Sequence, residues 1–113
     1  FVLGKNDLVP GDEVAILEVR SDRPRLEVGG HYCVRGTYAL KSKPKATLCL
    51  WNTNGDTEGE SSLRCKAVAG GGGEFIFRFN SVKGRFGSPH VSFYGDADGQ
   101  GFGGVYFDNP SSN

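Results

Sequence analysis

The feature that most constrains the fold of this chain is a repeated alternation of apolar and polar residues over short segments. Between Glu74 and Asn80, three phenylalanines alternate with Ile76, Arg78 and Asn80. The same two-residue period runs through Ala46–Trp51, His90–Tyr94 and Gly104–Asp108. Because successive residues of a β-strand point to opposite sides, each segment has one face for the core and one face that points outward.

Glycine supplies 18 of the 113 residues, and no stretch has the period of an amphipathic helix. Short alternating segments separated by turn residues are typical of an all-β protein. The spacing predicts seven to eight strands in two antiparallel sheets that pack face to face as a β-sandwich. We expect a single domain over residues 1–109 and a flexible tail from Pro110 to Asn113.

The predicted strands begin and end at recognisable turn signals. The first strand is Val14–Arg20, after a polar entry segment from Phe1 to Glu13. Leu26–Val28 is a short strand at most. A charged turn at Lys41–Lys45 and a hairpin at Gly70–Gly73 would each separate two strands, since glycine adopts positive φ freely. Loops are predicted at Asn52–Glu60, which is acidic, and at Lys83–Pro89, which is basic.

The overall charge and hydropathy of the chain argue against two classes of partner. The formal net charge is zero, so no overall field would draw the chain to nucleic acid. No apolar run approaches the roughly 20 residues that span a bilayer, so we expect no membrane partner. The chain contains no methionine, even at position 1, which indicates a processed or excised piece of a longer protein.

Three cysteines, Cys33, Cys49 and Cys65, lie 16 residues apart in predicted strands. Zinc sites usually have short paired spacings, which are missing here. We interpret the three as single buried or half-buried thiols, with one disulfide and one free thiol as the alternative in a secreted chain. The cellular compartment is not determined, and an extracellular or cell-surface setting is slightly favoured.

The strand predicted over residues 61–69 would point these side chains inward: Leu63, Cys65 and Ala67.

The outward faces carry the residues that we predict to bind a ligand. Trp51 would be a stacking platform, since aromatic planes match the C–H patches of sugar rings. Hydrogen-bonding groups around it would hold the sugar hydroxyls. The candidates for that role are Arg35, Arg78, Asn80, His90, Tyr94 and Tyr106. Two alternatives remain: Trp51 only covers the sheet, or the face docks a neighbouring protein domain, for which Tyr, Trp and Arg are equally suited.

Catalytic and metal-binding motifs are weak in this sequence. His31 and His90 are the only histidines, and neither lies in a nucleophile or metal motif. Carboxylates fall in loops rather than in strand pairs that face a cleft, unlike a glycosidase pair. Asp96–Gly101 opens like a calcium loop but lacks the closing Glu, so a hairpin turn is favoured. We therefore expect that the chain is not an enzyme.

Three segments are similar to parts of a known family. Leu26–Tyr38 has a turn followed by glycines, a tyrosine and an arginine-bearing strand, and Ala46–Leu50 occupies the place of the next core strand. Gly104–Asn109 ends on an aspartate after aromatic and apolar residues. In this layout, residues 12 to 109 resemble the jelly-roll carbohydrate-binding modules attached to bacterial polysaccharide-degrading enzymes.

This resemblance implies a jelly-roll sandwich, a noncatalytic glycan-binding role and a structural calcium ion. In the family, the aspartate of the last strand often holds the calcium together with acidic residues near the N-terminus. Carried over to this sequence, the metal ligands would be Asp108 with Asp12 or Glu13. The chain is shorter than typical members, and its cysteines are not a family signature.

Overall fold

The computed structural model describes residues 1–27, 29–53, 63–81, 87–96 and 98–108. Six strands form one antiparallel sheet: β1 (Val2–Asn6), β2 (Glu13–Ser21), β3 (Gly30–Thr53), β4 (Cys65–Ser81), β5 (Ser88–Gly95) and β6 (Gly101–Asp108). The strand order is β1-β6-β5-β3-β2, and β4 pairs with the other edge of β3. The described residues contain no helix that is long and apolar enough to cross a bilayer.

Strand β3 organises the fold because it pairs with three other strands. Its first part pairs with β2, its last part with β5, and β4 follows it along most of its length. A straight strand of this length would extend for about 80 Å, yet the longest dimension of the molecule is 38 Å. The strand therefore bends, and its register with β4 shifts between Leu40 and Lys45. The bend curls the sheet around a single core.

The core lies on the concave side of this curled sheet. Phe75, Phe77 and Phe79 are each 2% exposed, whereas Ile76 on the opposite side of β4 is 60% exposed. This confirms the alternation predicted from the sequence. The other large core side chains come from β2, β3, β5 and β6: Val14, Ile16, Tyr32, Val34, Leu40, Leu48, Leu50, Val91, Phe93, Val105 and Phe107.

The described residues form six strands rather than the predicted seven or eight, because two predicted turns are wrong. Lys41–Lys45 continues β3, and Gly70–Gly73 continues β4. The two stretches lie opposite each other, so β3 and β4 bend together at the same place. Gly71 has a φ of 112°, which relieves the backbone on the β4 side of the bend.

Two shorter predictions also need correction. The N-terminal segment that was expected to be a polar entry contains β1, which pairs with β6. Leu26 and Glu27 lie outside any strand. Val28, most of the acidic loop, most of the basic loop and the tail from Pro110 to Asn113 lie outside the described residues, so those predictions are not addressed.

The interpretation of all three cysteines as single thiols is wrong, and the alternative of one disulfide and one free thiol is confirmed. Cys49 and Cys65 lie directly opposite each other on β3 and β4 and form a disulfide, whereas Cys33 is a half-buried free thiol. The prediction that Cys65 points inward at the start of β4 is also wrong. Val68 is 5% exposed and faces the core, so Cys65 points outward.

Asp12 links the segment between β1 and β2 to the bend of β3 through side-chain hydrogen bonds. Its carboxylate accepts hydrogen bonds from the backbone nitrogens of Lys41 (2.7 Å) and Ser42 (2.9 Å) and from the Ser42 hydroxyl (2.5 Å). Burial opposes ionisation, but the three hydrogen bonds outweigh it and lower the pKa of Asp12 below its ordinary value. The charged carboxylate thus stabilises a stretch of β3 that sequence analysis assigned to a turn.

Candidate functional site

Trp51 stands on the convex side of the sheet, near the end of β3. Its register partner on β5 is His90, and Cys49 lies two residues before it on the same side. The Trp51 side chain is 39% exposed, whereas the preceding residue, Leu50, points to the opposite side of the sheet and is buried in the core. The outward orientation of Trp51, on which the predicted binding site depended, is therefore confirmed.

An open depression of about 650 Å³ lies beside Trp51, on the β5 side of β3. Its lining combines one aromatic plane with groups that donate or accept hydrogen bonds, contributed by Thr47, Trp51, Thr53, His90, Tyr94 and Asp96. The β-strand period places the first five on one side of the sheet. We call the surface formed by Thr47, Cys49, Trp51, Thr53, His90, Ser92, Tyr94 and Tyr106 the Trp51 face.

A short polar network lies beneath the depression. Nδ1 of His90 is 2.6 Å from the Ser92 hydroxyl, and the Tyr106 ring is 4.7 Å from the His90 ring. Burial lowers the pKa of His90, and the nearby charge of Asp7 opposes this only in part. Burial likewise raises the pKa of Tyr94, and a hydrogen bond with Ser92 that lowers this pKa offsets the effect only in part. Both rings are therefore neutral near pH 7 and can exchange hydrogen bonds with an uncharged ligand.

The buried His90 makes a pH-dependent contribution to stability. Because its pKa in the folded protein lies below 6.5, the unfolded chain takes up the proton first, and stability falls as pH drops from 6.5 through the folded pKa. We expect His90→Gln to reduce the loss of melting temperature between pH 7.5 and 5. Equal slopes for wild type and His90→Gln would contradict this account.

Arg64 also lies beside Trp51 and was not among the predicted site residues. Its guanidinium carbon is 4.4 Å from the centre of the Trp51 ring, which is a cation–π contact. The side chain is 6% exposed, and its Nε and Nη1 have no hydrogen-bond partner among the described residues. Burial accordingly lowers its pKa. Arg64 lies on the β4 side of Trp51, so it supports the indole from the side opposite the depression.

The structure brings together only some of the predicted ligand-binding residues. Trp51, His90 and Tyr94 line the depression, and Tyr106 packs on His90 next to it. The other three lie on the part of the sheet formed by β2, the first part of β3 and the facing part of β4. These residues are Arg35, Arg78 and Asn80. A bend between the two parts of β3 separates them from Trp51, and that bend was not predicted.

The second group belongs to a separate surface with its own chemistry. We call it the Arg78 face, formed by Glu18, Arg20, His31, Cys33, Arg35, Ile76, Arg78 and Asn80. Arg20, Cys33 and Arg78 lie in one row across three strands. Glu18 pairs with Arg20 at 3.1 Å and lies 3.7 Å from Arg35. Arg78 makes no ion pair with any described residue.

The predicted calcium ligands lie at different places in the fold. Asp108 pairs with Val2 at one end of the β1–β6 ladder, whereas Leu8, at the other end, leads into Asp12. The Asp12 carboxylate already accepts hydrogen bonds from the backbone nitrogens of Lys41 and Ser42 in β3. No three acidic, histidine or cysteine side chains of the described residues converge on a point that suits a metal ion. Calcium binding by Asp108 with Asp12 or Glu13 stays a prediction.

The loop that opens like a calcium site forms a tight turn. Backbone nitrogens of Gly95 and Gly99 bond to carbonyls of Gln100 and Gly95, respectively, at 2.8 and 2.9 Å. The Asp98 carboxylate accepts a hydrogen bond from the Gln100 nitrogen at 3.0 Å. Lys45 pairs with Asp96 at 3.4 Å. The aspartates thus hold the turn that forms one wall of the depression.

Comparison of the chain with protein-family models, with curated proteins and with solved structures gave no match. The similarity to carbohydrate-binding modules therefore rests on the sequence segments alone and stays a prediction.

Proposed function

We propose that this chain is a noncatalytic carbohydrate-binding module that holds a glycan in the depression beside Trp51. The observation that carries the proposal is the half-exposed indole at the wall of a depression whose other side chains form hydrogen bonds. A sugar ring has flat C–H patches and a rim of hydroxyls, and this combination of groups matches both.

Each residue of the proposed site has a separate role. The indole of Trp51 stacks on the sugar, on the side that Arg64 leaves uncovered. His90 and Tyr94 hydrogen-bond to hydroxyls, with Ser92 fixing the His90 ring through Nδ1. Arg35, Arg78 and Asn80 are not part of this site, because the bend in β3 places them on the Arg78 face.

The proposal extends to the architecture and the setting of the module. The parts of the sheet on either side of the bend correspond to the two sheets of a jelly-roll sandwich, with β3 and β4 shared between them. The Cys49–Cys65 disulfide is consistent with an oxidising compartment, such as the cell exterior.

The test is a glycan-array screen followed by fluorescence titration of each hit. Trp51 is the only tryptophan, so its emission reports contact at the proposed site directly. We expect saturable binding that Trp51→Ala weakens at least tenfold, or about 1.4 kcal/mol. Arg35→Gln, on the other face and away from the edge of β4, should leave the affinity unchanged. Binding that survives Trp51→Ala, or a folded domain that binds no glycan, would refute the proposal.

A protein-interaction role is the second candidate, and one observation favours it. Ile76 is 60% exposed on the β4 edge of the Arg78 face, beside charged residues. Arginine is enriched at protein interfaces, and the buried centre of an interface is more apolar than the rest of the surface. This surface does not overlap the Trp51 depression, so the two roles are compatible.

A further inference from the structure

One edge of β4 is open among the described residues. The strand extends from Cys65 to Ser81, and β3 is its only partner strand in this part of the chain. Long open edges expose a row of backbone donors and acceptors, which can pair with another chain. The open edge of β4 is therefore a potential contact surface.

The direction of the free backbone groups follows from a single hydrogen bond. Lys66 Nζ donates to the carbonyl oxygen of Glu74 at 2.8 Å, so this carbonyl points away from β3. In an antiparallel ladder, alternate residues direct both N–H and C=O to the same edge. The register from Gly71 to Ser81 has no shift, so Ile76 and Arg78 also direct their backbone groups to the open edge.

The side chains of the same residues lie on the convex side of the sheet. Glu74, Ile76 and Arg78 are all exposed and follow one another at two-residue intervals. The order along the edge is thus negative, apolar, positive. When two copies of this strand lie antiparallel, each negative side chain therefore faces a positive one and the apolar side chains face each other.

We propose that two copies of this chain pair antiparallel through the open edge of β4, centred on Ile76. In this register, Ile76 faces Ile76 of the second copy, and Glu74 faces its Arg78 on both sides of the centre. Cross-strand pairs of opposite charge and of apolar residues stabilise a sheet. The interface is isologous, with the same patch on both subunits, as in most homodimers.

The charges select this register over its neighbours. A pairing centred on Arg78 would place the two Arg78 side chains opposite each other, and one centred on Glu74 would do the same with two carboxylates. Like charges directly opposite are destabilising. The Glu74 carbonyl retains a second lone pair beside its bond to Lys66, so it can accept a bond from the second copy. The zero net charge of the chain adds no overall repulsion between copies.

The paired state would present two Trp51 depressions. β4 lies on one edge of β3 and the depression on the side of β5, so the pairing leaves both depressions open. Two sites on one particle increase the affinity for a repetitive ligand without any new contact in either site. The dimer itself does not depend on the proposed glycan binding.

The test measures self-association of the chain and of three variants by sedimentation equilibrium. Glu74→Lys and Arg78→Glu each place like charges opposite each other in the dimer, and we expect the dissociation constant to rise about tenfold. The double variant restores opposite charges in reversed order, so its dissociation constant should return to within about threefold of wild type. All the changed side chains are exposed, and melting temperatures will check that each variant folds.

Hydrogen exchange on the unmodified chain gives a second readout. The N–H groups of Ile76 and Arg78 point to the open edge, so they should exchange quickly in the monomer and slowly at concentrations where the dimer forms. A chain that stays monomeric up to millimolar concentration would overturn the proposal. A dimer that is unaffected by both single charge reversals, or one without protection at these two N–H groups, would overturn it as well.

Discussion

Replacing both Cys49 and Cys65 with alanine is expected to lower the free energy of unfolding by about 3 kcal/mol. The disulfide closes a segment of 16 residues between β3 and β4, so its loss gives the unfolded chain more conformational freedom. It also fixes the first residue pair of the β3–β4 ladder, two residues before Trp51. For a domain of this size, the expected fall in melting temperature is about 10–15 °C.

Thermal and urea unfolding of the double variant measure this effect. The matched control is Cys33→Ser, which alters the free thiol and should change the melting temperature by less than about 2 °C. Treatment of the wild type with a reductant should reproduce the shift of the double variant. A double variant as stable as wild type would mean that the ladder, not the disulfide, holds the start of β4.

The all-β class and the inward and outward faces of the strands could be predicted from the sequence because both depend on the local pattern of apolar and polar residues. Whether Phe75 or Ile76 enters the core follows from the two-residue period alone, and the structure confirms the assignment. The outward orientation of Trp51 was predicted in the same way. The half of the site that surrounds Trp51 therefore followed from the sequence, including His90 and Tyr94.

The failures share a physical cause, which is that pairing and curvature are nonlocal. Lys41–Lys45 has the composition of a turn, but β3 continues through it because β4 bends alongside and Asp12 binds its backbone. This bend separates Arg35 from Trp51. The pairing of Cys49 with Cys65 was not assigned for a related reason, since it needs the two residues directly opposite each other, and no local pattern gives that register.

The close packing of β3 between β2 and β4 leads to the second large expected effect, a loss of about 3 kcal/mol of stability in Gly36→Ala. Gly36 lies on β3 between β2 and β4, and the Phe75 ring covers it from the core side. An added Cβ would meet Cζ of Phe75 at 2.6 Å and would also collide with the Ala15 carbonyl of β2. Since the carbonyl is backbone, relief requires β2 to move away from β3.

Gly70→Ala is the matched control for this substitution. A Cβ on Gly70 would have no neighbour closer than 3.6 Å, and its φ is not positive. Alanine there restricts the unfolded chain and should be neutral or stabilising by up to about 1 kcal/mol. Urea unfolding of the two variants therefore separates close packing from the general loss of a glycine. Equal stabilities would mean that β2 is free to shift at Gly36, and the first part of β3 would then not be a rigid support for the Arg78 face.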